Sequence, residues 1–513
     1  MPVAVEVIAD ESCAALDRVR QPLHPTTVHR FVVGIDDGPV ELAGDEAAAL
    51  LGDPLATLLL LRGRFPRTGG ELVAELKRAA DERDPLQRVT TFVVGEGSQI
   101  PFSDATAGVD RGLRFLAACG VVGRPDVIIS TPGPDDRLVE AMAWDRVLGG
   151  FNFYRTVAGA WVFAGNSRAA FEQVTAGKGP FESHVNGNVL MKELRKPWIH
   201  WHSPDAGIFA TAFAPGDGRR AHAWFTDAEG ADVFEKAVAK PAIRRWTKAR
   251  FEARAEPPAR VLAQIVQTRT VNLVTSHIES RRAVSSGEDV DLPQTFFVDS
   301  EGLVEVLGLA APPPLSMAAA HYARTLETFD FALRADGFEQ PGDTHFAFMV
   351  PERAFEDRAA LESAIESGLV TPRLAACLLM VDFANPIFSA RRGSLLAHAP
   401  QVPDAQFAQA TADAILLAAA ATAPASPERE FAELWAAEDD WPARADARLA
   451  EYYDAITVHL ATQEGADDYT RLADSRRARI RAMPVFENPL LFAETNIAPA
   501  QLEMRPDGTV AAL

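Results

Sequence analysis

Cysteine is nearly missing from this chain. Its 513 residues hold three, Cys13, Cys119 and Cys377, far apart and without a C-x-x-C. That excludes a disulfide scaffold and a cysteine-built zinc cluster, and suits a reducing compartment. Each thiol reads instead as a small buried hydrophobe, Cys377 in RLAACLLMVDF above all. Positive charge is also short: 50 Lys and Arg face 71 Asp and Glu, net −21. A negative field repels polyanions, so no nucleic-acid partner is expected. Arg391-Arg392 and DSRRARIRA (474–482) are short basic exceptions.

Long apolar runs are lacking too. Nothing reaches the roughly 18 residues that mark a membrane helix. The longest Ala-rich piece, AILLAAAATAPA (414–425), is broken at Pro424. The opening stretch, MPVAVEVIADESCAALD, is acidic and lacks the basic start and apolar centre of a secretory signal. A cytoplasmic protein without a membrane span is the expectation.

Several signatures are missing as well. There is no Walker A loop, no G-x-S-x-G, no H-E-x-x-H and no internal repeat. VVGEGS (93–98) follows a strand-like run, but position 100 is Ile and Pro101 follows, so the dinucleotide loop is incomplete. Ser183-His184 and His202-Ser203 are adjacent pairs, whereas a nucleophile and its base usually come from different segments.

What is present points to an α+β protein. Residues 1–145 form a mixed α/β layer. HRFVVGID (29–36), RVTTFVVG (88–95) and PDVIISTPGPDD (125–136) read as strands, with helical spacing between them in DEAAALLGDPLATLLLLRG and GGELVAELKRAADERD. Residues 146–300 combine an irregular, well-packed Trp/His-rich segment of loops and short strands, up to about 225, with helices. Residues 301–513 form a helix-rich part with short strands. Helical spacing covers 230–254 and 257–282, recurs at 314–333, and gives three or four helices over 403–483. Short strands are expected at 294–300, 344–350 and 376–383. The tail from Met483 is apolar enough to pack back on the body.

The densest chemistry lies in KPWIHWHSPDAG (196–207). Three of eleven histidines fall between 184 and 202. Pro197 disfavours a helix before it, and Trp-Ile-His-Trp-His suits an extended strand. In a strand, Trp198, His200 and His202 share one face while Ile199 and Trp201 share the other. Two imidazoles on one face can hold one metal ion. His184 or Glu193 is the nearest further ligand, with Gly187 turning the backbone. Two His and a carboxylate suit iron, three His suit copper or zinc, and a single His suits haem. Trp198 and Trp201 then wall the cofactor pocket.

Further along, VDFANPIFSARRG places Asp382 at the end of a strand-like run, where α/β proteins keep their chemistry. Asp382 is a candidate base or ligand, and Arg391 and Arg392 are candidates for holding an anionic group. His277 lies on an expected helix, while His321 and His345 read as core residues. Two functions follow. The first is a metal- or haem-dependent oxidoreductase acting on a small molecule, with His184, His200 and His202 as ligands and Glu193, Asp382, Arg391 and Arg392 as catalytic groups. The second is a non-catalytic binding or assembly protein, its His/Trp segment serving as core or partner surface.

Overall fold

A computed structural model describes residues 23–95, 100, 102–109, 111–189, 201, 212–254, 256–268, 270–274, 287–335, 338–341, 350–402, 404–483 and 494–513. Among the described residues, one compact unit is built from those up to Arg250 other than Ser103–Val109, and a second from Phe251 onward together with Ser103–Val109. The architecture is α+β.

The first unit is organised by one eight-stranded sheet. Its strands are β1 (Val28–Arg30), β2 (Val40–Glu41), β3 (Val89–Gly95), β4 (Leu113–Val121), β5 (Arg124–Thr131), β6 (Glu140–Asp145), β7 (Gly150–Val157) and β8 (Ala160–Asn166). Strands β3 to β8 meander antiparallel, β1 lies parallel to β8, and β2 closes that side, in the order β2-β1-β8-β7-β6-β5-β4-β3. The run β6–β7 keeps full register across residue 145, with Trp144 opposite Phe151 and Asp145 opposite Gly150.

Alternate residues point to opposite faces. Val93, Phe115, Ala117, Ile129, Ala143, Tyr154 and Trp161 enter one core. It is covered by helices α1 (Gly44–Leu50), α2 (Pro54–Leu58) and α3 (Gly69–Ala79). On the other face Phe92 meets Phe234; at the start of β7, Gly150 lies against Trp246 of α4 (Lys240–Ala253).

Helix α3 begins where its sequence says it should and ends at Ala79, four residues before the last residue of GGELVAELKRAADER. The Thr68 hydroxyl accepts the Glu71 N–H, the Glu71 carboxylate accepts the Arg67 N–H, and Leu72, Val73 and Leu76 form the buried stripe. The 146–225 stretch holds short strands among its loops: residues 150–157 and 160–166 are β7 and β8, nearly all buried, with a register shift between Phe153 and Tyr154.

In the second unit, α5 (Pro258–Val266) ends earlier than its pattern implied, and the chain enters β9 (Val271–Val274). Helix α6 (Ala319–Thr328) follows, then β14 (Val350–Arg353), paired antiparallel with β9, then α7 (Phe355–Glu366). Two short hairpins intervene, β10 (Val290–Leu292) with β11 (Leu315–Met317) and β12 (Ala332–Ala335) with β13 (Phe338–Pro341). Residues 376–383 are not a strand. They finish helix α8 (Pro372–Leu379), capped by Thr371 and buried from Leu374 to Leu379. A helix with every side buried reads as a plain apolar run, which periodicity cannot separate from a strand. QTFFVDS is likewise a 3₁₀ turn, Gln294–Phe296, leading into a π-helical turn at Glu301–Val306.

Four helices close the unit: α9 (Asp404–Ala419), α10 (Pro427–Trp435), α11 (Trp441–Leu460) and α12 (Gln463–Arg481). The described tail packs back as a hairpin, β15 (Leu502–Met504) with β16 (Val510–Ala512), and Tyr469 donates to the Gly508 carbonyl. Among the described residues, no helix is long and apolar enough to cross a membrane.

Candidate functional site

His184 lies in the loop that follows β8. A 3₁₀ turn, Gly179–Glu182, leads into it, and the His184 N–H donates to the Pro180 carbonyl at 2.9 Å. Gly187 reverses the chain at φ +65, where a Cβ would stand 2.2 Å from the Ser167 carbonyl oxygen. Only glycine fits that left-handed, crowded position. The Ser167 hydroxyl donates to the Gly187 carbonyl at 2.6 Å and accepts the Phe151 N–H at 2.9 Å, tying the loop to β7.

The imidazole packs half-buried on Phe153, centroids 5.0 Å apart. Its Nδ1 meets the Asn188 carbonyl at 2.7 Å. A carbonyl only accepts, so Nδ1 carries the proton and Nε2 the lone pair. Burial, slightly offset by that carbonyl, holds the ring's pKa below its ordinary value, so His184 is neutral at pH 7.

Trp201 bridges antiparallel to Val94 on β3, an outer strand of the sheet. Its indole is buried and lies on Phe234 at 5.0 Å, so this ring fills core. Glu193, Trp198, His200 and His202 lie outside the described residues, as do His277 and His345. His321 sits half-buried on α6. Among the described residues, no three His, Cys, Asp or Glu side chains are grouped to hold a metal ion.

The turn after α8 brings Asp382 and Arg392 into one polar knot, with Arg391 at its outer side. Asp382 adopts φ +51, and its carboxylate accepts from Asn385 Nδ2 at 2.8 Å and Ser389 Oγ at 2.6 Å. Its N–H donates to Glu430 Oε1 at 3.1 Å. Arg392 is buried, and its guanidinium donates to the carbonyls of Leu379, Asn385 and Pro386. Desolvation pushes its pKa down to about 10. Arg391 is exposed and reaches the Ala425 carbonyl at 2.9 Å and Glu430 at 3.4 Å. A cavity of 10 Å³ beside Asn385, Phe388, Arg476 and Arg479 has room for about one water. Arg392 thus pins backbone, Asp382 holds the side chains of Asn385 and Ser389, and Arg391 meets Glu430 and the Ala425 carbonyl.

Two buried networks escaped the sequence reading. In the first unit, Asp53 caps α2 through the Ala56 N–H at 3.0 Å. It also accepts from the Tyr154 hydroxyl and from Asn152 Nδ2 at 2.8 Å. Asp145 stands beside it, accepting the Gly52 N–H at 2.8 Å. In the second unit, Arg353 and Asp299 form a fully buried pair at 2.6 Å. The pairs Arg353–Asp299, Asn152–Asp53 and Tyr154–Asp53 lie 54 to 101 positions apart in the chain, a distance at which no local pattern signals contact.

Exposed aliphatic groups are also concentrated. Of seven large exposed hydrophobic residues described in the first unit, six occupy one end of the sheet: Ile35, Val40, Val121, Val122, Val147 and Val174. Val121 and Val122 form the β4–β5 tip, and Val147 the β6–β7 tip. Ile35 follows β1, Val174 follows β8, and Val40 pairs with the last residue of β1. From β1 to β4 this end spans five strand spacings, roughly 24 Å. A valine inside a Gly-bounded turn, as in CGVVGR and DRVLGG, is the sequence signal that would have revealed it. No family model, curated protein or solved structure matches the chain.

Proposed function

We propose that this is a non-catalytic binding or assembly protein. The row of bare aliphatic side chains at one end of the sheet carries the reading. Scattered surface valines are ordinary, but six exposed aliphatic residues gathered at one end of a sheet favour an interaction surface. The bonds of Asp382 to the Asn385 and Ser389 side chains, those of Arg392 to backbone carbonyls and the burial of Trp201 agree with it. The test is native-size analysis of the tagged protein in extracts of the cells that make it. The wild type should run well above monomer size, and Val122→Asp with Val147→Asp as a monomer. A wild type that runs as a monomer there rules the reading out.

A second reading rests on His184. A neutral imidazole whose Nδ1–H is anchored on a carbonyl presents Nε2 in the manner of an oriented metal ligand. On this reading His184, His200 and His202 hold iron, copper, zinc or haem in an oxidoreductase for a small molecule. Metal analysis and an absorption spectrum on untagged protein test it. One metal or haem per chain, lost in His184→Ala with an unchanged circular dichroism spectrum, supports it. Metal-free protein from metal-replete cells ends it.

A further inference from the structure

The 10 Å³ cavity lies between the post-α8 turn and helix α12, and two guanidiniums line it. Arg476 is buried and Arg479 half-buried. Arg476 donates to the Phe296 carbonyl and, at 3.1 Å, to that of Ala384. Arg479 donates to the Leu502 carbonyl at 2.8 Å and reaches that of Phe388 at 3.5 Å. These carbonyls fix both forks without bringing a full negative charge, and each fork has N–H groups to spare. Among the described residues, no carboxylate bonds to either guanidinium. The other described lining is apolar apart from Asn385, whose amide is engaged by Asp382 and Met504. Buried Ile387 also lines the cavity, and its N–H has no acceptor among the described residues.

Local charge does not balance. Asp382 attracts Arg392, Arg476 and Arg479 alike, but its carboxylate is bonded to Asn385 and Ser389. Asp299 is taken by Arg353, and Glu430 by Arg448 and Arg391. Glu503 adds attraction at Arg479. Burial still pushes the Arg476 guanidinium down to about 10, and Arg479 adds repulsion. A buried cation is costly unless an opposite charge meets it.

Charge and size together select the occupant. Two guanidiniums repel a metal cation. A water molecule fills the space and leaves the charge as it is. A phosphate or sulfate is too large for a cavity with room for about one water. A halide has the required sign and is only slightly larger than water, and chloride is the common one. We infer that the cavity beside Arg476 and Arg479 is a chloride site, the ion bridging the two guanidiniums. It belongs to the second unit alone and is independent of how the sheet end of the first is used.

The test compares sodium chloride with sodium gluconate on the purified full chain at equal ionic strength. Screening is then the same, and gluconate is too bulky to enter. At about a hundred-fold excess over its dissociation constant, chloride should raise the thermal midpoint by roughly 3 °C or more. It should also slow hydrogen exchange in peptides covering 384–392 and 472–481 by roughly ten-fold or more. Arg479→Gln removes the half-buried cation, and its exchange should no longer respond to chloride. In crystals soaked in bromide, anomalous scattering should place one ion between the two guanidiniums. Equal midpoints and equal exchange in the two salts mean a cavity holding water only, and overturn the inference. A chloride response kept in full by Arg479→Gln overturns it too, as does bromide found only on the surface, an adventitious ion only. If Arg479→Gln fails to fold, the wild-type salt comparison and the bromide position decide the matter.

Discussion

Replacing Arg353 with Met removes a charge from a closed site while keeping most of the side chain's bulk. Arg353 Nε donates to Asp299 Oδ2 at 2.9 Å, Nη2 donates to the same oxygen at 2.6 Å, and Nη1 donates to the Ile265 carbonyl at 2.9 Å. The two side chains are 3% and 2% exposed, so water cannot take over either role. Burial alone would push the Arg353 pKa down; attraction and hydrogen bonding from Asp299 reverse that and push it up. After Arg353→Met, Asp299 keeps the Gly302 N–H at 3.0 Å but loses its counter-charge. Stranding one member of a buried pair costs about 3–5 kcal/mol. Hydrogen exchange of peptides covering 294–306 and 350–366 reads this directly, since slow amides there should speed up by roughly 10²–10⁴-fold. Adding Asp299→Asn should return about 2 kcal/mol, because the stranded charge is gone. A single-variant cost below about 1 kcal/mol refutes the reasoning, as does a double variant whose cost is the sum of the two singles.

Other outcomes follow from the same structure. Tyr154→Phe withdraws a donor from buried Asp53 and should cost about 1.5–3 kcal/mol in chemical denaturation of the first unit. Desolvation pushes the Asp53 carboxyl above its ordinary 3.8, although hydrogen bonds from Tyr154, Asn152 and Ala56 pull the other way. The folded chain therefore keeps this proton after the unfolded chain has lost it, and ionisation favours unfolding. The stability difference between wild type and Asp53→Asn should fall as pH rises above about 4 and level off past the folded value; a flat difference contradicts this. Gly187→Ala should lower the thermal midpoint by more than about 1 kcal/mol equivalent, since its φ and the Ser167 carbonyl both resist a Cβ. Cys119 and Cys377, their thiols pushed up to about 12 by burial, should stay unlabelled by a thiol reagent until the chain unfolds.

Local signals were legible and long-range ones were not. Helix α3 announced itself through the spacing of Leu72, Leu76 and Ala79, and the four helices after residue 403 through theirs. Strands β3 and β5 stood out because β-branched residues fill them and turns bound them. Helix α8 was obscured by full burial from Leu374 to Leu379, which leaves no polar residues to mark a period. At the candidate site, Gly187 correctly signalled the turn beside His184. That Arg392 would spend its fork on three carbonyls could not be read from an Arg-Arg pair. Its targets exist only once the chain reverses at Asn385-Pro386.

The Asn385 side chain behaves as a short rung of sheet. Its Nδ2 donates to the Met504 carbonyl at 2.9 Å and its Oδ1 accepts the Met504 N–H at 3.0 Å, across 119 positions of chain. At ribosomal speeds of 5–20 residues per second, Met504 is made about 6–24 s after Asn385. Until then, the buried amide at the heart of the post-α8 turn has no Met504 backbone to pair with. The second unit therefore cannot complete its fold as it emerges, and its last ordering step waits for the final hairpin.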